Sequence, residues 1–416
     1  MHKLAGLSLY KNKTATKTLN RIPIDTFFGD TNMKTYKIIT LGASGSGKTV
    51  FLASMFKALS TQGEHSFYLE VEDREKRKKL NEIYSKIITK DESWPKGTKY
   101  SEVSEWTYIC RVKTPTRNDY PACQFTYFDY AGGRVTDINE EDTEFKNLVK
   151  QADTILGLLD GQKILAWMNG DNRLAINSFD NQELLCILNW MQSCTVPIHF
   201  VISKWDLLQD KYSLKQIRDR LFSIPKFEQV VQSRNKAGSP IRLIPVSSVG
   251  SGFATLQPDG SMRKISGAAF QPFQVEVPLA CVLPDGLKAK LVELAQQKKQ
   301  LETQQIGKTN IFSNFLGLAG QFFVDTALGF ALDALFPFLP PEFQFTKHIF
   351  DKVDNGIFSS INKNHKNKLE VLGAEREKSL NLVKDEETAL NHAFDSFLYI
   401  EQKLDRDFPE SDLLLA

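Results

Sequence analysis

From Tyr36 onward, apolar and β-branched residues arrive in short runs, and helix-length polar stretches separate most of them. Six runs predict strands: Tyr36–Leu41, Trp106–Val112, Gln124–Phe128, Thr154–Leu159, Ile198–Ser203 and Ile241–Val246. Between them, Thr49–Ser60, Arg74–Thr89, Glu144–Gln151, Asn181–Ser193 and Leu214–Phe222 have helical length and spacing. Strands that alternate with helices predict an α/β fold, a three-layer sandwich around a mostly parallel sheet with both faces covered. The runs around Trp106 and Gln124 are joined only by the polar link Thr114–Pro121, which predicts an antiparallel hairpin.

The ends of the chain follow other patterns. Residues 1–33 are rich in Thr, Asn and Lys and form a basic extension carrying about +5 as far as Lys37. It reads as a loosely ordered tail, or as an arm for an acidic surface, lipid or nucleic acid. Residues 34–305 form the main domain. Within it, residues 251–275 have the Gly, Ser, Gln and Pro content of a loop or an irregular insertion, followed by a helix from about Pro278 to Gln305.

A helical C-terminal region is expected over 306–416. Its Ile311–Leu339 stretch carries only Asp325 and Asp333 as charges. That length spans a bilayer, but each acid opposes insertion by about 2.5–3.5 kcal/mol. Three readings follow: a helix pair packed against the main domain, a re-entrant or monotopic membrane patch, or a partner-binding helix. From about Asn364 to Asp407, Leu369, Leu380, Val383, Leu390, Phe394, Phe397 and Leu404 make a heptad-like seam interrupted by Gly373, Arg376, Glu387 and Glu401. One long helix is expected there, paired with Pro278–Gln305 or with a second copy of the chain.

Composition narrows the classes. The 416 residues are 42% hydrophobic and 25% charged, as in folded domains. A net charge of +2 gives no global reason to expect nucleic acid as partner. The five cysteines are scattered and odd in number, and no His or Cys pair has metal-ligand spacing, so neither a disulfide scaffold nor a zinc module is expected. No long apolar run follows the first basic residue, so no signal peptide is expected, and reduced thiols fit a cytoplasmic location.

Gly42-Ala43-Ser44-Gly45-Ser46-Gly47-Lys48-Thr49 fits the pattern G-x-x-x-x-G-K-[ST], with an apolar strand before it and an apolar helix after it. Glycines let the backbone curl so that several N–H groups converge on one anion, and the helix N-terminus adds its positive dipole end. Lys48 is placed to reach β- and γ-phosphates, and Thr49 to offer its hydroxyl to Mg²⁺. The predicted ligand is a nucleoside triphosphate with Mg²⁺, contacted by Gly42, Ser44, Gly45, Ser46, Gly47, Lys48 and Thr49.

Three further elements follow in order: Asp129-Tyr130-Ala131-Gly132, Ser203-Lys204-Trp205-Asp206 and Val246-Ser247-Ser248-Val249. With the Gly42–Thr49 loop, they make residues 36–250 resemble the translation-factor-related (TRAFAC), Ras-like class of P-loop GTPases. The resemblance implies that Asp129 backs Mg²⁺ through water, with Thr49, and that Gly132 N–H senses the γ-phosphate. It implies that Asp206 pairs with guanine N–H donors, that Lys204 packs over the base, and that the Ser247–Ser248 loop gives a backbone contact to the guanine carbonyl. Ser203 stands where the family has Asn or Thr, and Ser248 and Val249 replace an Ala and a Lys. The family also needs a Thr or Ser to close on Mg²⁺. Thr98, Ser101 and Ser104 are candidates, and Thr98 is preferred.

Gly133 occupies the position of the family's water-orienting Gln and has no side chain to do that work. Arg134 follows, either as an internal charge stabiliser or as an exposed switch residue. The expectation is a GTP/GDP- and Mg²⁺-dependent switch and GTP hydrolase whose hydrolysis is slow, or is assisted by a partner or by self-association. Phe128–Gly133, the Ser203-Lys204-Trp205-Asp206 motif and Pro272–Leu279 also resemble bacterial GTPases of the double-GTPase type, which implies a multi-gene, often defence-linked system. The expected partners are an effector protein, a second copy meeting through the GTPase face or the C-terminal helices, and a membrane touched by 311–339. Nucleic acid is not expected. Two other readings stand beside this one: a membrane-associated or self-assembling mechanical GTPase, and a P-loop ATPase.

Overall fold

A computed structural model describes residues 33–90, 93–98, 103–133, 143–170, 179–192, 194–305 and 365–413. The basic extension as far as residue 32, Arg134, Ser101 and the apolar 311–339 segment lie outside the described residues.

Seven strands form one sheet: β1 (Thr35–Leu41), β2 (Tyr68–Glu70), β3 (Val103–Lys113), β4 (Asp119–Tyr130), β5 (Thr154–Asp160), β6 (Ile198–Ser203) and β7 (Ile241–Pro245). Their order is β2-β3-β4-β1-β5-β6-β7. β1 lies between β4 and β5 and runs parallel to both, with Ile38 opposite Tyr127 on one side and Thr154 on the other. β5, β6 and β7 continue in parallel. β3 and β4 form the expected antiparallel hairpin, closed by Thr114 N–H donating to Asn118 O at 2.8 Å, and β2 adds an antiparallel edge. The sheet is therefore mostly parallel. Every residue of β5, β6 and β7 is buried, as continuous apolar runs of a doubly covered sheet require.

Alternation along the strands separates two cores. Ile38 faces α1 (Lys48–Ala58) and α2 (Arg74–Ile88), whereas Ile39 and Leu41 face the opposite cluster. That second cluster is built with α3 (Thr143–Gln151), α4 (Gly161–Asn169), α5 (Leu185–Gln192), α6 (Leu214–Phe222) and α7 (Pro225–Ala237). A short helix α8 (Val277–Ala280) leads into α9 (Val282–Gln305) on the α1 side. Inside 251–275, where a loop or an irregular insertion is expected, β8 (Ala254–Leu256) and β9 (Met262–Lys264) form a small hairpin.

The continuous heptad helix expected over 364–407 is two helices, α10 (His365–Asn381) and α11 (Glu386–Asp407). Asp385 interrupts it: its side chain accepts from Thr388 N–H at 2.9 Å while the Thr388 hydroxyl lies 3.1 Å from Asp385 N, a reciprocal N-cap that starts a new helix. The expected pairing with 278–305 is also incomplete. Phe397 of α11 packs on Phe67 and Phe125, with ring centroids 5.0 and 5.9 Å apart, so its apolar residues cover the sheet. Among the described residues, no helix is long and apolar enough to cross a membrane.

One buried charge cluster fastens α11 and α9 to the sheet. Arg242 of β7 reaches Asp285 through Nε (2.6 Å) and Nη2 (3.0 Å), Asp405 through Nη1 (2.9 Å), and Glu401 through Nη2. His199 Nε2 lies 2.9 Å from Asp285, and Lys288 pairs with Glu401. Burial alone would raise the Asp285 carboxyl, but the charges of Arg242 and Lys288 hold it far below the usual carboxylate range.

Candidate functional site

In the sheet order, the chain leaves β1 towards β4 on one side and then returns to β5 on the other. Such a reversal opens a crevice beyond the C-terminal strand ends. The residues following β1 and β5, and those ending β6, meet there around a cavity of about 550 Å³. That volume lies within the range of about 300–1,000 Å³ common for small-molecule sites.

One end of the cavity is the loop between β1 and α1. Gly45 and Gly47 have φ of +82° and +91°, the left-handed region that glycine enters without strain. Gly47 caps α1 without a side-chain hydrogen bond, and no acid occupies the first turn. Ser44, Gly45, Gly47, Lys48 and Thr49 line the cavity. Lys48 Nζ donates to Gly42 O at 2.7 Å and to Ala43 O at 3.2 Å. Burial lowers the Lys48 pKa, and the charges of Asp129 and Glu183 oppose that shift. Gly132 lies against the same loop: a Cβ on it would stand 2.2 Å from Ser44 N, so no side chain fits there.

Asp129, at the end of β4, is 1% exposed and sits behind the cavity wall. Its Oδ2 accepts from Thr98 Oγ1 at 2.8 Å. Burial pushes its carboxyl pKa up; the Lys48 charge and the Thr98 and Thr49 hydroxyls pull the other way. Asp129 Oδ1 is buried without a hydrogen bond, as is Ser46 Oγ. Among the described residues, no group of three or more His, Cys, Asp or Glu is gathered around a metal position. A cation here would rest on one carboxylate, the Thr49 and Thr98 hydroxyls and oxygens brought by a ligand, a hard-oxygen set that suits Mg²⁺.

The other end is the turn after β6. Lys204 adopts a left-handed φ of +52°, and its ammonium reaches Asp160 Oδ1 and Oδ2 at 2.8 and 2.9 Å. Asp206 and Ser248 line the cavity, while Ser247 stands behind Asp206 and donates to it. Burial raises the Asp206 carboxyl pKa and the Ser247 hydrogen bond opposes it. Gly161 allows the start of α4 to approach this turn, since a Cβ there would lie 2.1 Å from Ser203 O.

Of the expected site residues, Ser44, Gly45, Gly47, Lys48, Thr49, Thr98, Gly132, Lys204, Asp206 and Ser248 all line this one cavity. Gly42, Ser46, Asp129 and Ser247 support it from behind. Ser104 lies within β3, paired with Asp129 across the ladder. No protein-family model matches the chain, and no curated protein matches it. The roof was not legible in the sequence: Trp94, Gln162, Gly260 and Met262 line the cavity, with Gln162 Nε2 donating to Gly260 O at 2.8 Å. Lys163 joins them and forms an ion pair with Glu183.

Proposed function

We propose that this chain is a P-loop, Ras-like GTP-binding protein that acts as a Mg²⁺-dependent switch with slow or assisted GTP hydrolysis. One observation carries the reading: a single cavity runs from the Gly42–Thr49 loop to the Asp206 carboxylate. The first end has converging amides and an ammonium for phosphates. The second has a fixed, half-buried carboxylate, which suits two N–H donors on guanine and disfavours adenine, where it would go unpaired.

In this reading the Gly45–Thr49 amides and Lys48 hold the phosphates. Thr49, Thr98 and, behind them, Asp129 hold Mg²⁺, which when bound neutralises charge on the β- and γ-oxygens. Gly132, whose lack of a Cβ lets it pack against the Ser44 backbone, offers its N–H to the γ-phosphate. Asp160 anchors Lys204 so that its stem lies along the base. Gly133 brings no side chain to orient water, so rapid hydrolysis needs a group from a partner or from a second copy. Calorimetric titration tests the reading: GTP binds the wild-type chain, and Lys48→Ala abolishes binding while the fold persists. Equal affinity in Lys48→Ala overturns it.

A further inference from the structure

The roof of the cavity grips the chain that carries Thr98. Trp94 Nε1 donates to the Met262 carbonyl of β9 at 2.7 Å. Lys264, two residues on, holds its ammonium 5.0 Å from the Trp94 ring centroid. The same ammonium donates to Thr89 O at 2.8 Å and to Lys86 O, at the end of α2. Phe253, just before β8, packs edge-on to the indole at 6.4 Å. The hairpin therefore holds this stretch at two points, the α2 terminus and Trp94.

From Trp94 the chain needs only four residues to reach Thr98, whose hydroxyl donates to Asp129 Oδ2 at 2.8 Å. Pro95 stiffens that step: its own φ is fixed, and the residue before it is confined to extended backbone. Gly97 gives this strap one soft joint, but its shortness still ties the position of Thr98 to that of Trp94. Met262 is 168 residues from Trp94 in sequence, so the contact is not a local turn.

We infer that the β8–β9 hairpin is a clamp that positions Thr98 for the cation, with Trp94 and Lys264 as its positioning residues. This rests on the nucleotide reading above. Thr98 contributes to retention of the bound nucleotide only with Mg²⁺ present. A defect in the clamp must therefore be felt in Mg²⁺ and vanish when the cation is removed. A hairpin that merely stabilised the fold, or merely covered the ligand, would act equally in both conditions.

The experiment is the dissociation rate of a fluorescent, non-hydrolysable GTP analogue, chased with the unlabelled analogue, in Mg²⁺ and in EDTA. Trp94→Phe keeps the ring and removes the donor; Lys264→Met keeps the stem and removes the ammonium. Each speeds release about five- to tenfold in Mg²⁺, the scale of one lost hydrogen bond to a well-held group. Lys264→Met, whose side chain does not line the cavity, leaves the rate in EDTA unchanged, and neither variant adds to Thr98→Ala. Wild-type rates for both variants in Mg²⁺, an acceleration by Lys264→Met that persists in EDTA, or full additivity with Thr98→Ala overturns the clamp while leaving nucleotide binding intact. A wild-type chain that retains no analogue in either condition overturns the nucleotide reading and the clamp with it.

Discussion

Ser247 donates its hydroxyl to Asp206 Oδ1 at 2.5 Å and accepts the Gly250 amide at 2.9 Å. The carboxylate that ends the Ser203–Asp206 turn is thus held by a residue from the loop after β7, which is itself fixed by a glycine with φ of +90°. Two neighbouring parallel strands contribute to one rigid acceptor.

Asp206→Asn replaces one acceptor oxygen with a donor. Preference for GTP over ATP falls by at least about 100-fold, because discrimination of this kind depends on paired buried polar groups. Ser247→Ala leaves the carboxylate in place but unsteadied, and costs about three- to tenfold in GTP affinity. Competition binding with both nucleotides measures each effect; an unchanged GTP/ATP ratio in Asp206→Asn contradicts the assignment.

Gly161→Ala tests the packing between α4 and the β6 turn. The added Cβ would stand 2.1 Å from Ser203 O, and the backbone must move to admit it. Stability falls by about 1–3 kcal/mol in urea unfolding, as overpacking does elsewhere. Gly170→Ala, at a position with φ of +73° but with no atom within 4 Å of its Cβ, separates the cost of conformation from the cost of collision.

The strands were legible because their apolar runs are continuous. Thr154–Asp160 and Ile198–Ser203 are buried at every residue, and the one glycine among them, Gly157, packs against Met191 and Ile187 rather than opening a turn. The Gly42–Thr49 loop was legible because its chemistry is local: glycine, lysine and threonine at fixed spacing between a strand and a helix. The roof was not. Met262 and Trp94 are 168 residues apart, and β8 and β9 have three residues each, too short for any period to show. The break before Asp385 was hidden for a different reason. The apolar spacing runs on through Leu380 and Val383, so the seam masks a capping sequence that starts a second helix.

Asp285→Asn removes one centre of the buried charge cluster and leaves Arg242 and Lys288 with less compensation. The loss is about 3–5 kcal/mol, the usual result of breaking a buried pair on one side. The cluster tethers α9 and α11, so urea unfolding followed by near-ultraviolet dichroism reports it. A change below about 1 kcal/mol contradicts a structural role for the cluster.

His392 gives a pH signature. Its Nε2 lies 3.2 Å from Ser66 O and its Nδ1 lies 2.9 Å from Ser379 Oγ, and burial lowers its pKa to about 4 despite the nearby Asp395. The fold favours the neutral ring, so its full contribution is present above the unfolded value of about 6.5 and is lost as pH falls from there towards 4. The loss amounts to at most about 3 kcal/mol. Unfolding midpoints measured between pH 7 and pH 4 decline in the wild-type chain and decline less steeply in His392→Gln. The remaining slope includes His65, whose pKa burial also lowers. Identical slopes in the two chains contradict the assignment.

The central claim is that one cavity reads phosphates at Lys48 and guanine at Asp206. It is tested most directly by binding of fluorescent GTP with unlabelled GTP, GDP and ATP as competitors, with and without Mg²⁺, while phosphate release is followed as protein concentration rises. The account predicts that GTP and GDP displace the probe, that ATP does not, that Mg²⁺ strengthens binding, and that release is slow at low protein concentration. Displacement by ATP as effective as that by GTP, or no binding of the probe at all, contradicts it.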